Sequence, residues 1–313
     1  MLAYEVHISE CGIDLPKLDV LVQQHAQKWL QRIFHHTLSN QFDPITAIDA
    51  LPRVQQNINA LLLSVLEEMF VRYDDIQTMR CVISYFVQNL VEAVILTIVK
   101  LYNPGNLLVA GGLFYNVKLN SLLAKNISGK LCAMPLAGDQ GAGLGVYQAY
   151  KGDLIWPENL FWGHRNLAFD DITAVPDGVV QVQSMDDAME IIQDELDDIG
   201  FVNLVRGAME FGPRALCNTT TLARPEEEVA QTINRINART MEMPFAPVVT
   251  KQQADEHFKD CEHIHKSLEY MIVTRDYKPG HGEKLPGAAH HYPESNVYTG
   301  RPQITSDPHL VQL

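Results

Sequence analysis

A loop rich in glycine and proline, residues 205–218, constrains this chain more than any other feature. The hydrophobic run Phe201–Val205 comes directly before it and predicts a short buried strand, because β-branched residues suit a pleated surface. Gly207 and Gly212 open backbone conformations closed to other residues, while Pro213 fixes its own φ. The loop therefore begins at a strand end and can bring backbone N–H groups close to a ligand.

Beside Arg206 at its start, this loop carries two further charged side chains, Glu210 and Arg214. The planar guanidinium fork of arginine suits two-point contact with a phosphate or a carboxylate. The same spacing also suits a rigid turn held by a surface Glu–Arg pair, which would contribute little stability. The residues alone leave both interpretations open.

A second glycine turn follows the predicted buried strand at residues 107–110. Gly111 and Gly112 precede Asn116, which stands at the start of a predicted helix. A strand, a glycine turn and a helix N-terminus together let a phosphate approach the backbone. Alone, this pattern is not specific to nucleotide binding.

Residues 137–145 carry four glycines around one carboxylate, Asp139. Gly138 and its neighbours allow a loop whose backbone comes near a cation or a phosphate. The alternative is helix–strand packing in which Asp139 is an N-cap.

Helical periodicity dominates the first third of the chain. Apolar residues recur at three- and four-residue steps and predict amphipathic helices over 17–36 and 53–72. The segment 76–102 is apolar on most sides and predicts a central core helix, which Asn103-Pro-Gly105 ends. Its internal polar residues fit a buried helix better than a membrane span.

Two more helices flank the glycine–proline loop. Ser184 is predicted to cap a helix that runs to about Ile199, with Asp187 placed for a capping box. Pro225 predicts the first turn of the other helix. The buried stripe predicted for that helix is Val229, Ile233 and Ile236.

Composition limits the function classes. A length of 313 residues allows two domains, each with its own core. A net charge of −14 disfavours tight binding to bulk nucleic acid. Five widely spaced cysteines and the lack of an apparent signal peptide predict a reducing compartment, the cytoplasm by default.

One cluster has spacing that suits a metal. His257, Cys261, His263 and His265 offer ligands that tetrahedral zinc accepts. The charged residues around them also fit a solvated helix end, and the spacing does not decide between the two.

Residues 209–216, followed by Asn218, resemble the Met-Glu-Phe-Gly-Pro-Arg-Ala-Leu-Gly-Asn signature of the carbamoyltransferase family, which includes nodulation-factor and antibiotic-tailoring O-carbamoyltransferases. The match runs from about residue 75 to 303 and corresponds to the middle of the family polypeptide. Other segments similar to family motifs are 108–116, 137–145, 233–234, 244–247 and 285–303.

The resemblance implies an α/β fold in two parts. Residues 1–152 would be the C-terminal half of an actin-like ATPase (ASKHA) domain with a large helical part, and 153–176 a linker. Residues 177–313 would be part of a YrdC-like domain that forms a carbamoyl-adenylate. The family's N-terminal half and its metal-binding histidines have no counterpart here, so we expect complementary polypeptides or a homo-oligomer.

The resemblance also implies O-carbamoyl transfer from carbamoyl phosphate, activated by ATP, to a hydroxyl of a small molecule or a nucleotide. Asp139 would hold a divalent metal, Fe or Mg. The catalytic residues would be Glu210, Arg214, Arg239 and His290. The nucleotide-binding residues would be Gly111, Gly112, Asn116, Gly138, Arg206, Gly207, Asn218 and Arg301.

Several family positions differ in this chain. Each charge-assisted phosphate contact that is lost removes about 1.5–3 kcal/mol. A non-catalytic nucleotide-binding or assembly subunit is therefore the competing hypothesis. The family usually has Arg at Ala208, Thr219 and Met243, Lys at Asn237, Ser at Val248 and Gly at Cys217.

Overall fold

A computed structural model describes residue 8 and residues 10–38, 51–72, 74–152, 158–163, 178–180, 182, 184–239, 245–261, 263–292 and 295–313. Side chains are described for these residues except 32–38, 51–57 and 265. The chain divides into two compact units, Met1–Pro104 and Gly105–Leu313.

Three helices lie within the described residues of the first unit, α1 (Leu15–Leu38), α2 (Leu51–Glu68) and α3 (Ile76–Tyr102). These helices confirm the three predicted segments, and α3 has the predicted bounds. Asp75 caps α3 by accepting a hydrogen bond from the Thr78 amide, and Asn103 ends it in the left-handed conformation.

The core of the helical unit lies where α3 packs against α1 and α2. Leu18, Val65 and Phe86 are among its fully buried side chains. By length and composition alone, α3 also meets the requirements of a membrane span, the one helix among the described residues that does so. A buried helix in the core of a soluble protein meets the same requirements.

The second unit is mixed α/β, as expected at that coarse level, and its strands form small sheets. β1 pairs with β2 and β5 with β9 in parallel, whereas β3 pairs with β4 and β8 with both β6 and β7 in antiparallel fashion. The strands are β1 (Leu107–Val109), β2 (Leu131–Ala133), β3 (Phe201–Val205), β4 (Thr219–Ala223), β5 (Val248–Val249), β6 (Arg275–Asp276), β7 (His290–Tyr292), β8 (Val297–Gly300) and β9 (Gln303–Ile304). The helices are α4 (Val117–Asn126), α5 (Ala142–Lys151), α6 (Met185–Asp198), α7 (Glu227–Ile236), α8 (Lys251–His257), α9 (His265–Leu268) and α10 (Pro308–Gln312).

The glycine–proline loop connects β3 to β4. Val205 pairs with Thr219 at the open end of this antiparallel pair, so the two strands fix both ends of the loop. Before β3, α6 begins with the predicted capping box, in which Ser184 and Asp187 exchange backbone and side-chain hydrogen bonds.

Two details of α7 correct the sequence-based expectation. Pro225 lies before the helix, which Glu226 precedes as the N-cap residue, and the carbonyl of Pro225 accepts a hydrogen bond from the Gly287 amide. Ile236 is exposed rather than buried, because α7 buries the face that carries Ala230, Ile233 and Asn234.

The predicted family domains, residues 1–152 and 177–313, stay a prediction. Most of the linker predicted at 153–176 lies outside the described residues. The division into compact units falls earlier, after Pro104.

Candidate anion site

The carboxylate of Glu210 holds the glycine–proline loop together. Its Oε1 accepts hydrogen bonds from the amides of Leu216 at 2.7 Å, Asn218 at 2.8 Å and Thr219 at 3.0 Å. Glu210 forms no ion pair with Arg214, which removes the surface-pair interpretation of the loop. This carboxylate stabilises the return of the chain into β4, and Arg214 remains available for another partner.

Three residues of the loop have positive φ angles, two of them glycines and one a cysteine. Gly207 has a φ of 54° and Gly212 a φ of 125°. A Cβ on Gly212 would lie 2.8 Å from Cδ2 of Leu136, so a larger residue would clash there. Cys217 has a φ of 72°, although such angles disfavour residues other than glycine.

Arg206 and Asn218, both predicted to bind the nucleotide, make their contacts within the protein. Arg206 donates from Nε to the Cys217 carbonyl at 3.0 Å, and its Nη2 lies 2.6 Å from Oδ2 of Asp307. Asn218 donates from Nδ2 to the Ala208 carbonyl at 2.7 Å. In this structure both side chains stabilise the loop, and their nucleotide contacts stay predictions.

Besides Arg224, which is paired with Asp197, three arginines line a cavity of about 810 Å³. Arg214, Arg239 and Arg301 all contribute to its wall. Nε of Arg214 is buried and has no hydrogen-bond acceptor within the described residues. A buried donor without an acceptor is costly, so this cavity is suited to an anionic ligand.

The arginines also affect one another. Burial and, to a lesser extent, the positive charges of Arg214 and Arg239 together lower the pKa of Arg301 to about 10. Burial likewise lowers the pKa of Arg214. Like charges in a poorly hydrated site repel, and an incoming anion relieves that repulsion.

Aromatic rings support two of these guanidinium groups. The Arg214 guanidinium lies 5.9 Å from the ring centre of Tyr115, and that of Arg239 lies 4.9 Å from the ring centre of Phe245. The Arg239 amide also donates to the Asn234 carbonyl just beyond α7. These contacts orient the guanidinium planes without neutralising their charge.

The two predicted glycine turns lie beside each other. The Gly111 amide donates to the Ala137 carbonyl at 2.8 Å, and a Cβ on Gly138 would lie 2.9 Å from Cε2 of Tyr115. Asn116 caps α4, as predicted, by accepting from the Leu119 amide. Tyr115 thus connects these turns to Arg214, but the predicted ligands Gly111, Gly112, Asn116 and Gly138 lie outside the wall of the arginine cavity.

Asp139 is exposed and begins a short 3₁₀ helix, Asp139–Gly141, so it is not the N-cap of either that helix or α5. Among the described residues, no three His, Cys, Asp or Glu side chains come together as a metal site. The residues present here therefore do not fit a resident divalent metal. The zinc-like spacing of 257–265 likewise forms no such site in the described part of the chain, where Cys261 is buried and His263 exposed.

His290 lies in β7, which pairs with β8, and Arg301 follows directly after β8. Burial and, to a lesser extent, nearby positive charges that include Arg301 and Lys118 together lower the pKa of His290 to about 4. The imidazole is therefore neutral at pH 7. It can accept or donate a hydrogen bond, but it adds no positive charge to the site.

The sequence patterns did not identify two contributors to this region. His257 contributes to the cavity wall, and its Nδ1 lies 2.7 Å from Nδ1 of His281. Tyr115 stacks beneath Arg214. From its spacing, His257 was considered only as a zinc ligand. No local sequence pattern indicated that His281, 24 residues away, contacts it.

Comparison with known proteins agrees with this loop and cavity. The family model for the carbamoyltransferase C-terminus matches residues 193–310, a range that contains the glycine–proline loop and all three arginines. Residues 193–310 are therefore similar to the C-terminal domain of carbamoyltransferases. The resemblance carried by the signature loop is thereby confirmed.

Proteins similar to this chain are found in bacteria and archaea. Nodulation protein NolNO of Sinorhizobium fredii is 29% identical over 58% of the chain and 28% of its own length. Nodulation protein NolO of Bradyrhizobium diazoefficiens is 31% identical over 49% and 30%. Uncharacterized protein MJ1051 of Methanocaldococcus jannaschii is 34% identical over 56% and 36%, so the chain spans about a third of the length of the curated relatives it matches.

The structure shows where the residues that differ from the family signature lie. Cys217, where the family has glycine, takes the left-handed conformation that glycine adopts without strain. Cys217, Thr219, Asn237 and Val248 all contribute to the cavity wall, so four of the six substituted positions line the candidate anion site.

Proposed function

We propose that this chain is an O-carbamoyltransferase polypeptide that binds ATP and carbamoyl phosphate in the arginine cavity and forms a carbamoyl-adenylate there. The observation that carries the proposal is the convergence of Arg214 and Arg301 on one cavity, with a buried Arg214 Nε that has no acceptor among the described residues. Arginine forks suit the paired oxygens of phosphate and carboxylate groups.

The proposed chemistry has two steps at this site. Water takes the phosphoryl group of carbamoyl phosphate, which leaves carbamate and phosphate. A carbamate oxygen then attacks the α-phosphorus of ATP, the bond between that phosphorus and the bridging oxygen to the β-phosphorus breaks, and pyrophosphate leaves. Arg214, Arg239 and Arg301 stabilise negative charge on the phosphate oxygens during both steps.

The size and lining of the cavity suit a nucleotide. A volume of about 810 Å³ falls within the range of about 300–1,000 Å³ that is usual for small-molecule sites. Asn203 on β3 and Thr221 on β4 supply polar atoms, and Leu222 and Leu310 supply apolar surface. Phosphates would lie at the arginines and the base farther along β4.

Transfer to an acceptor completes the proposed reaction. The carbamoyl group would pass to a hydroxyl of a small molecule or a nucleotide, with AMP as the leaving group. Complementary polypeptides or further copies of the chain are proposed partners for this step, in the cytoplasm. No step is assigned to a metal, because the described residues do not form a metal site.

The test is pyrophosphate release from ATP in the presence of carbamoyl phosphate. We expect release by the chain, alone or with a co-encoded partner, and at least a hundredfold loss in Arg214→Ala, since removing one charge-stabilising donor costs about 2.7–4 kcal/mol. Arg235→Ala is the matched control, because Arg235 is an exposed arginine on α7. Absence of release with every partner present would exclude the proposed activity.

A second candidate is a non-catalytic nucleotide-binding or assembly subunit. The uncharged Thr219, Asn237 and Val248 on the cavity wall favour it, because these residues supply no cation for a triphosphate. This candidate predicts that ATP binds, that Arg214→Ala weakens binding, and that no pyrophosphate appears. Measuring ATP binding and turnover on the same preparations separates the two functions.

A further inference from the structure

Two histidines share a hydrogen bond at the wall of the arginine cavity. His257 ends α8 and contributes to the wall, and its Nδ1 lies 2.7 Å from Nδ1 of His281. The ring centres are 4.9 Å apart, and both side chains are half-buried. A contact of this length between two ring nitrogens requires one ring to donate and the other to accept.

The shared hydrogen bond restricts how many protons the pair can hold. A neutral pair carries one proton between the Nδ1 atoms and one on Nε2 of the accepting ring. One more proton can occupy the remaining Nε2 without disturbing the shared bond. A second additional proton would place two N–H donors against each other, so the intact pair can gain one charge only.

The groups around His257 disfavour its protonated form. Burial lowers the pKa of His257 below its ordinary value, and His281, Lys284 and Lys278 lower it further, whereas Glu256 opposes them. An anion bound beside His257 would add a negative charge that favours the protonated pair. The pKa of the pair would then rise on binding.

We propose that an anion entering the arginine cavity is bound together with one proton, which the His257–His281 pair takes up so that His257 presents an Nε2–H group to the ligand. This inference rests on the proposed anion site and adds a residue pair and a proton to it. Such coupling makes binding stronger as pH falls, by at most about tenfold for each pH unit. It also gives the cavity a positive charge that the substituted family positions do not supply.

The test uses inorganic sulfate, because its charge does not change between pH 5 and 8, unlike that of phosphate or pyrophosphate. Isothermal titration calorimetry of the full chain in two buffers with different ionisation enthalpies counts the protons taken up. We expect proton uptake per sulfate to be largest between the pKa of the free pair and that of the sulfate-bound pair, around the ordinary histidine pKa of about 6.5, and to fall toward zero by pH 8 and again at low pH, where the free pair is already protonated. Sulfate binding without proton uptake over this range would overturn the proposal.

Variants assign the proton to the pair. His257→Gln and His281→Gln should retain sulfate binding but lose most of its pH dependence, whereas His263→Gln, at an exposed position outside the cavity wall, should behave like the natural chain. His290→Gln should also keep the uptake, although His290 lies near Arg301. Unchanged uptake in His257→Gln, or its loss in His290→Gln, would contradict the assignment.

The outcome also separates this inference from the proposed function. Pyrophosphate release from ATP without proton-linked sulfate binding would overturn the coupling and leave the carbamoyltransferase proposal standing. Failure of sulfate to bind at any pH would overturn the coupling and count against the anion cavity itself.

Discussion

Cys217 shows how one residue can carry the strain of a family substitution. Its φ of 72° is closed to most side chains, yet its sulfur is buried and accepts a hydrogen bond from Nε2 of Gln303 at 3.4 Å. Burial also raises the pKa of this thiol to about 11, so it stays protonated and unreactive at neutral pH. The residue therefore combines an unfavourable backbone with a favourable side-chain environment.

Two substitutions separate these effects. Cys217→Gly and Cys217→Ala both remove the sulfur, so the difference between them isolates the backbone. We expect the glycine variant to be more stable than the alanine variant by about 1–2 kcal/mol, the cost of the left-handed conformation, which reverses the usual order in helices and strands. Urea unfolding measures both, and an alanine variant equal to or more stable than the glycine variant would show that position 217 is not strained.

His290 predicts a specific acid sensitivity. Its pKa is lowered from 6.5 to about 4 in the folded chain, so the unfolded chain binds a proton first as the pH falls. The stability that this histidine contributes is present above pH 6.5 and is lost progressively between pH 6.5 and 4, by at most about 3 kcal/mol. Comparing urea unfolding of the natural chain and His290→Gln across this range should show a shallower loss in the variant, and parallel pH profiles would contradict the shift.

At the scale of elements, the connection from β3 to β4 depends on Glu210. Three backbone amides donate to one carboxylate oxygen, and the Leu216 side chain beside them is buried. We expect Glu210→Ala to destabilise the chain by about 3 kcal/mol, because it leaves these amides without a partner. Glu210→Gln keeps an acceptor oxygen and should cost less.

The control for Glu210 is Glu190→Ala, an exposed carboxylate on α6, for which a change within about 0.5 kcal/mol is expected. Equilibrium urea unfolding provides the comparison. Loss of pyrophosphate release in a fully stable Glu210→Gln would instead support the catalytic role first assigned to this residue.

The helices were predictable because their signals are local. The apolar segment 76–102 gave the bounds of α3, and Ser184 with Asp187 gave the start of α6. Strand pairing was not predictable in this way, since β5 pairs with β9 across more than fifty residues of sequence, a contact for which neither strand has a local pattern. The sequence predicted Pro225 in the first turn of α7. In the structure Pro225 precedes this helix, and its carbonyl accepts a hydrogen bond from the amide of Gly287, a residue far away in the sequence.

The residue types of the candidate site were predictable from the sequence, but the structural role of each residue was not. The signature loop identified Glu210, Arg206 and Arg214 together, yet only Arg214 contributes to the cavity wall. Glu210 and Arg206 serve backbone groups and Asp307, contacts set by the three-dimensional path of the loop. A motif gives the positions that matter, while the folded path decides which of them meet a ligand.

At the scale of the whole molecule, the chain consists of two compact units with separate interiors. The helical core around Phe86 contains residues of the first unit only, and all three cavity arginines lie in the second. A substitution that destabilises the core of one unit is therefore expected to lower the stability of that unit and leave the other folded.

Phe86→Ala tests this independence, with Leu268→Ala as the matched change in the second unit, since both side chains are fully buried. Removing such side chains costs about 2–5 kcal/mol. In hydrogen exchange followed by mass spectrometry, Phe86→Ala should lower protection in α1 to α3 and leave the β3–β4 loop and sulfate binding unchanged, because the buried cluster around Phe86 consists of residues of the first unit. Leu268→Ala should do the reverse, and equal loss of protection in both units from either substitution would mean that the chain unfolds as a single cooperative body.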